Sequence, residues 1–262
     1  MSVVRIADID VHYTIDGAGP WLTLAHPLAA DSRIWAPQMD LLSAHFRVLR
    51  FDARGHGKSS ASTAPYTLDQ LADDALLLFE HLGLQRSHWI GLSMGGMVAQ
   101  ALALKRPGLL DRIVLADSTS RRPPNAAQMW GERIAQARAG GMAAIVAPTI
   151  ERWFTEPFRI AEPKTISWVA EQIATTSVEG YCGCCAAIAK IDLLDRLHQI
   201  DSPALIMAGE HDHATPASMS EQMSLNWRGP SYCLIPDAAH IGNVEQASFF
   251  NARIAEFLGI SG

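Results

Sequence analysis

The chain has 262 residues, of which 48% are hydrophobic and 18% are charged, and its formal net charge is -6. This length suits one large α/β domain, or one domain with an inserted subdomain, and the composition is that of a globular rather than a disordered protein. The charge excludes a basic footprint for nucleic acid, and no apolar run approaches the roughly 18–20 residues that a membrane span requires.

The first part of the chain predicts strands that alternate with helices. Residues 1–10 alternate apolar and polar side chains, which predicts a strand rather than a signal peptide, and we therefore expect a cytoplasmic protein. Helices are predicted at residues 68–82, after the N-cap residue Thr67, and from residue 97 to about 105. Further strands are predicted at residues 11–15, 21–25, 46–51, 87–90 and 112–116.

The pattern changes at residue 120. Residues 120–195 show helical patterns without a clear strand, and we interpret them as a helical cap inserted after the sixth strand. The segments 1–119 and 196–262 are then expected to form one core: a mostly parallel, eight-stranded sheet with helices on both faces. In the second segment, strands are predicted at residues 204–208 and 232–235, and helices at 217–226 and 245–258.

The strongest local motif is Gly91-x-Ser93-x-Gly95, which lies between a predicted strand and a predicted helix. A nucleophile on such a sharp turn has a strained backbone, and side chains in place of the two glycines would clash. The N-terminus of the following helix supplies positive potential and free N–H groups for a developing oxyanion. The motif therefore predicts Ser93 as a catalytic nucleophile, and the alternative is a tight turn with an ordinary serine.

A serine hydroxyl needs a base, and the base needs an acid that orients it. Among ten histidines, His240 follows the last predicted strand, and Asp212 follows the strand before it. Because the carboxyl ends of parallel strands meet at one edge of a sheet, we expect Asp212 and His240 to lie near Ser93. Asp117 and Glu210 remain rival candidates for the acid.

Two backbone N–H groups are expected to form an oxyanion hole. One belongs to Met94, the residue after the nucleophile. The other should come from the loop that follows the strand at residues 21–25, and we choose Leu28 because Pro27 has no N–H.

Neither a metal nor a cofactor is predicted. His211 and His213 are spaced as two metal ligands, but no third ligand is evident. The four cysteines do not form separated ligand pairs, so we expect reduced, structural thiols.

Five segments resemble the 3-oxoadipate enol-lactonases of the α/β-hydrolase superfamily, and the similarity runs over nearly the whole chain. Three of them are widespread in the superfamily, whereas the two in the cap are typical of the enol-lactonases. The segments are residues 51–59, 91–97, 151–154, 179–187 and 208–216.

The resemblance implies an α/β-hydrolase fold with Ser93, Asp212 and His240 as the catalytic triad and a cap over the pocket. It also implies a small lactone with a carboxylate tail, most specifically 3-oxoadipate enol-lactone, from aromatic compound catabolism. Residues 25–30 depart from the run of serine, asparagine, serine, leucine and glycine expected there, which alters the pocket wall.

Three residues are interpreted as substrate-binding. Arg133 belongs to a basic part of the cap, which could attract a carboxylate in an otherwise acidic protein. Trp153 is a candidate pocket wall, and His26 lies beside the expected oxyanion hole. The alternatives are a solvated basic face for Arg133 and a core position for Trp153.

Two other functions stay open: a broad carboxylesterase for small neutral esters, and a non-catalytic ligand receptor on the same fold. The expected partner is a small-molecule ester or lactone, with no nucleic acid and no membrane. The sequence leaves the oligomeric state open, with a homodimer among the alternatives.

Overall fold

The computed structural model describes residues 2–260, and its centre is an eight-stranded sheet. The spatial order of the strands is β1-β2-β4-β3-β5-β6-β7-β8. In chain order these are β1 (Ser2–Ile6), β2 (Ile9–Asp16), β3 (Trp21–Ala25), β4 (Arg47–Phe51), β5 (Ser87–Leu92), β6 (Leu110–Ala116), β7 (Ala204–Gly209) and β8 (Ser231–Ile235).

The sheet is mostly parallel. Strands β1 and β2 pair antiparallel, as do β2 and β4, and all the remaining pairs are parallel. Strand β7 is buried at all of its positions, which explains its continuous apolar sequence, since a central parallel strand is covered on both faces. The predicted fold class is therefore confirmed.

The helices form two groups around the sheet, and a third group lies in the chain segment that connects β6 to β7. In chain order the helices are α1 (Met39–Ser43), α2 (Leu68–His81), α3 (Met94–Lys105), α4 (Ala126–Gly140), α5 (Ala143–Trp153), α6 (Glu156–Ala161), α7 (Pro163–Thr175), α8 (Val178–Ile188), α9 (Ala217–Asn226), α10 (Gly242–Glu245) and α11 (Ala247–Leu258). Helix α3 packs on β3, β5 and β6, α9 packs on β7 and β8, and α2 packs on α3 and β1. Helices α1, α10 and α11 pack with a 3-10 helix at Ser32–Gln38.

Two helix boundaries differ from the sequence prediction. Helix α3 begins at Met94 rather than at residue 97, because the turn at Ser93 is completed within one residue. The single helix predicted at 245–258 is two helices, α10 and α11, which are separated at Gln246, where φ is -125° and ψ is 51°.

The helices α4 to α8 lie in the segment interpreted as the cap, and they contact the core at specific points. Glu245 accepts hydrogen bonds from the backbone N–H of Thr155 at 2.9 Å and from that of Ala239 at 2.8 Å. Gly180 of α8 lies against Gly55, and a Cβ atom on Gly180 would be only 2.4 Å from the Cα atom of Gly55. No helix within residues 2–260 is long and apolar enough to cross a membrane.

Candidate active site

Ser93 occupies the turn between β5 and α3 with φ 52° and ψ -111°, a conformation that is unfavourable for a residue with a side chain. The two glycines of the motif make this turn sterically feasible. A Cβ atom on Gly91 would lie 2.4 Å from the carbonyl carbon of Gly95, and one on Gly95 would lie 2.1 Å from the Ala25 oxygen. Hydrogen bonds from Gly96 N and Met97 N to the backbone carbonyl oxygen of Ser93 then start the helix.

His240 and Asp212 form a buried hydrogen-bonded pair. The Nδ1 atom of His240 lies 2.8 Å from Oδ2 of Asp212, and the two side chains are almost fully buried. The carboxylate of Asp212 also accepts hydrogen bonds from Ala214 N at 2.7 Å, Thr215 N at 3.1 Å and Thr215 Oγ1 at 2.7 Å. These bonds fix the carboxylate, so that its free acceptor position faces the imidazole.

The pKa of Asp212 lies below its usual value although the group is buried. Burial alone raises the pKa of a carboxyl group, but the electrostatic interaction with His240 and the hydrogen bonds from His240 and Thr215 outweigh that effect. Asp212 is therefore ionised at neutral pH and can stabilise a positive charge on the imidazole.

Ser93 and His240 line one cavity, which has about 540 Å³ of empty space, part of it open to solvent. The residues around it are Leu28, Ala29, Ser93, Met97, Met129, Trp130, Arg133, Thr149, Arg152, Trp153, Tyr181, Ile188, Ala214, Thr215 and His240.

The two backbone groups predicted for the oxyanion hole are near this cavity. Leu28 lines it, and Met94 is the first residue of α3, directly after Ser93. Within residues 2–260, neither N–H donates to a protein acceptor, so both are free to bind a ligand oxygen. Their role in catalysis remains a prediction.

The cavity includes two of the three cap and loop residues that the sequence suggested for substrate binding. Trp153 lines the cavity, and its ring centre lies 6.1 Å from that of His240. Arg133 lines it as well, with its guanidinium 4.5 Å from the ring centre of Trp130.

His26 does not line the cavity, in contrast to its interpretation as a substrate-binding residue. Its Nε2 atom accepts a hydrogen bond from Ala53 N at 2.9 Å, and its Nδ1 atom lies 2.8 Å from the Pro27 oxygen, to which it donates. Since backbone groups occupy both ring nitrogens, His26 connects the loops that follow β3 and β4.

The sequence did not single out Arg152, which also lines the cavity. Its side chain donates to Thr149 Oγ1 at 3.2 Å, and within residues 2–260 neither Arg152 nor Arg133 forms an ion pair with a carboxylate. Burial, and then the nearby charge of Arg133, lower the pKa of Arg152 from its usual value. A signal was present in the sequence, because Arg152 directly precedes Trp153 in a segment that resembles the enol-lactonases.

The two rival acids occupy different positions. Glu210 is exposed, and its Oε2 atom accepts a hydrogen bond from Asp237 N at 3.3 Å. Asp117 is fully buried beside Asp212 and His240, and its Oδ1 atom accepts a hydrogen bond from Gly209 N at 2.6 Å. Asp212 is the acid whose hydrogen bond to His240 the structure contains.

Two groups of possible metal ligands have ordinary surroundings. Glu210, His211 and Asp237 offer ligand atoms within 4.8 Å of one another, but all three are exposed, and exposed acidic groups are common without a metal. The four cysteines have free thiols. Burial raises the pKa of Cys184 and of Cys185, which keeps these thiols protonated and unreactive.

Comparison with known proteins gives one consistent result. Residues 20–247 match the family described as alpha/beta hydrolase fold. The chain is 31% identical to 3-oxoadipate enol-lactonase 2 of Acinetobacter baylyi over 94% of this chain and 92% of that protein. It is 35% identical to the crystal structure of the enol-lactonase from Burkholderia xenovorans LB400, with a TM-score of 0.95 over 98% of this chain and 100% of the other.

A third relative is a thermophilic esterase from Thermogutta terrifontis, whose structure has malate bound. It is 28% identical to this chain, with a TM-score of 0.93 over 98% of both chains.

Proposed function

Because the chain belongs to the α/β-hydrolase family and is a relative of the 3-oxoadipate enol-lactonases, we propose that it hydrolyses a small lactone or ester that carries a carboxylate. The preferred substrate is 3-oxoadipate enol-lactone. The observation that carries this proposal is a cavity lined by Ser93, His240 and two arginines that have no carboxylate partner among the described residues 2–260.

In the proposed reaction, Ser93 Oγ attacks the carbonyl carbon while His240 takes the hydroxyl proton. Asp212 stabilises the resulting imidazolium, and the N–H groups of Met94 and Leu28 donate to the carbonyl oxygen as it becomes negative. His240 then gives the proton to the leaving oxygen as its bond to the acyl carbon breaks. Water, deprotonated by His240, releases the acid and restores Ser93.

An enol lactone suits this sequence of steps. Its leaving group is an enol, which rearranges to a ketone, so its expulsion is easier than that of an alkoxide. In a lactone the leaving group stays attached to the acyl chain, and the cavity must therefore hold the opened chain until water attacks. No cofactor takes part in these steps.

The preference for a carboxylate is supported by Arg133 and Arg152. A guanidinium remains protonated in a protein, and an unpaired one in a partly buried site favours binding of an anion. The half-buried side chain of Arg152 is close enough to Arg133 for their charges to repel, and a bound carboxylate would relieve this repulsion.

A carboxylesterase for neutral esters is the second candidate. Most of the cavity wall is apolar, including Met97, Trp130 and Trp153, and such a wall binds uncharged acyl groups well. The similarity to the Thermogutta terrifontis esterase also favours this candidate.

Substrate preference separates the two candidates. We expect kcat/KM for 3-oxoadipate enol-lactone to exceed that for p-nitrophenyl acetate, although the nitrophenolate is a good leaving group. Steady-state kinetics with both substrates at one pH measures this ratio. If the neutral ester is preferred by orders of magnitude, the lactonase proposal is wrong and the esterase candidate stands.

The arginines provide a second test. We expect Arg152→Gln to lower kcat/KM for the carboxylated lactone by about 10- to 100-fold, because a hydrogen bond to a charged group contributes roughly 1.5–3 kcal/mol. Turnover of p-nitrophenyl acetate should change less than about threefold, since that substrate has no carboxylate to lose its partner.

The matched control is Arg122→Gln, which changes an exposed cap arginine that is already paired with Asp192 at 3.4 Å. This variant should leave the kinetics of both substrates unchanged. An equal loss with both substrates in Arg152→Gln would show a general structural effect and would contradict carboxylate binding by Arg152.

A further inference from the structure

Asp117 is a buried carboxyl group that the proposed chemistry does not use. It directly follows β6 with φ 47°, and its side chain is inaccessible to solvent. Its Oδ1 atom accepts a hydrogen bond from Gly209 N at 2.6 Å. Its Oδ2 atom is buried and has no hydrogen-bond partner within residues 2–260, and it would lie 3.5 Å from a Cβ atom added to Gly242.

The two glycines belong to the segments that carry the acid and the base. Gly209 is the last residue of β7, three positions before Asp212, and Gly242 begins α10, two positions after His240. The carboxyl group that follows a third strand, β6, thus accepts a hydrogen bond from the first segment and lies beside the second. The bond between Asp212 and His240 depends on the spacing of these segments, because it is a single contact of 2.8 Å.

Building on the proposed hydrolase function, we propose that Asp117 is a positioning residue that connects the segment before Asp212 to the segment after His240. Through its hydrogen bond to Gly209 N and its packing beside Gly242, its carboxyl group keeps the acid in hydrogen-bonding contact with the base. Such a role is expected to matter for rate, because a misplacement of about 1 Å can lower turnover about 100-fold.

The surroundings of Asp117 affect its charge. Burial raises the pKa of Asp117 well above its usual value, and the negative charges of Asp212 and Glu245 act in the same direction. The backbone N–H groups of Gly209 and Gly242 oppose this shift, and Cys233 of β8 is a further titratable neighbour. A protonated Asp117 keeps its contacts without placing a second negative charge beside Asp212.

Two variants test the positioning role. Asp117→Asn is neutral, tolerates the positive φ and retains a carbonyl oxygen for Gly209 N, whereas Asp117→Gly tolerates the same backbone but removes both oxygens. We expect Asp117→Gly to lower kcat by about 100-fold with KM within about threefold, and Asp117→Asn to lose no more than about fivefold.

The matched control is Asp237→Gly, which makes the same replacement at an exposed aspartate with φ 52°. It should leave kcat unchanged. If Asp117→Gly matches this control in kcat, or if Asp117→Asn is as damaging as Asp117→Gly, the positioning role is wrong.

A second readout does not depend on catalysis. A carboxyl group whose pKa is raised in the folded state binds more protons there than in the unfolded chain, so stability falls as pH rises above its unfolded pKa of about 3.9. The unfolding equilibrium constant of the wild type, divided by that of Asp117→Asn, should therefore increase by up to about tenfold per pH unit in that window.

Urea unfolding of both proteins between pH 4 and 8 measures this ratio, and a constant ratio would contradict the buried, contact-making carboxyl group. Failure of the proposed function would give a different result, because the wild type itself would then turn over neither lactone nor ester. Failure of the positioning role appears only in the comparison of Asp117 variants with the Asp237→Gly control.

Discussion

Ser93→Ala is expected to lower kcat for lactone and ester substrates by about 10⁴- to 10⁶-fold, the largest effect of any single change in the chain. The variant removes the only hydroxyl that the proposed mechanism places next to the base, so no acyl-enzyme can form. The fold should survive, because the hydrogen bonds that start α3 are accepted by the backbone carbonyl oxygen of Ser93 and not by its side chain.

A fluorophosphonate probe with intact-mass detection should label the wild type once and should not label Ser93→Ala. The control is Ser220→Ala, which changes a buried serine in α9 and should retain both labelling and turnover. Labelling of Ser93→Ala at the wild-type stoichiometry would place the nucleophile elsewhere. Absence of labelling in the wild type would instead favour a non-catalytic receptor.

The backbone strain at Ser93 also predicts a difference in stability between two inactive variants. A residue with a side chain at φ 52° costs on the order of 1–3 kcal/mol, and glycine adopts this conformation freely. We therefore expect Ser93→Gly to be inactive but to have a higher Tm than Ser93→Ala.

Asp212→Asn is expected to lower kcat by about 10⁴-fold with little change in KM. Its amide can still accept from Ala214 N and Thr215 N, so the loop should keep its conformation. The amide carries no charge to stabilise the imidazolium, and it can hold His240 in the wrong tautomer. Steady-state kinetics with the best substrate measures the loss.

Glu210→Gln is the matched control, because it neutralises an exposed carboxylate two positions earlier in the same loop. Turnover of this variant should equal that of the wild type. Retention of more than a tenth of wild-type kcat by Asp212→Asn would show that another acid supports His240.

The stability of Asp212→Asn should depend on pH in a defined direction. The pKa of Asp212 is lowered in the folded protein, so its ionised form stabilises the fold at pH values above the unfolded pKa of about 3.9. This contribution is lost as pH falls through the lower, folded-state pKa. Asp212→Asn should therefore be less stable than the wild type at pH 7, and the difference should shrink on acidification below about pH 4.

The sequence by itself determined the features that depend on neighbouring residues. Side-chain periodicity and turn residues predicted the strand–helix alternation, and the two glycines predicted the sharp turn at Ser93. The carboxyl ends of parallel strands meet at one edge of a sheet. The positions of Asp212 and His240 directly after two predicted strands therefore suggested that they would come together. These inferences succeed because local sterics and sheet direction do not depend on how distant segments pack.

Only the tertiary structure decided which side chains line the cavity. The sequence suggested His26 and Arg133 as substrate-binding residues and did not single out Arg152, but His26 is bound by the backbone of two loops, whereas Arg133 and Arg152 reach the cavity. The same holds for Asp117, whose contacts join segments about 90 and 125 positions away. Such placements follow from the packing of helices and loops that are far apart in the chain, and no local pattern encodes that packing.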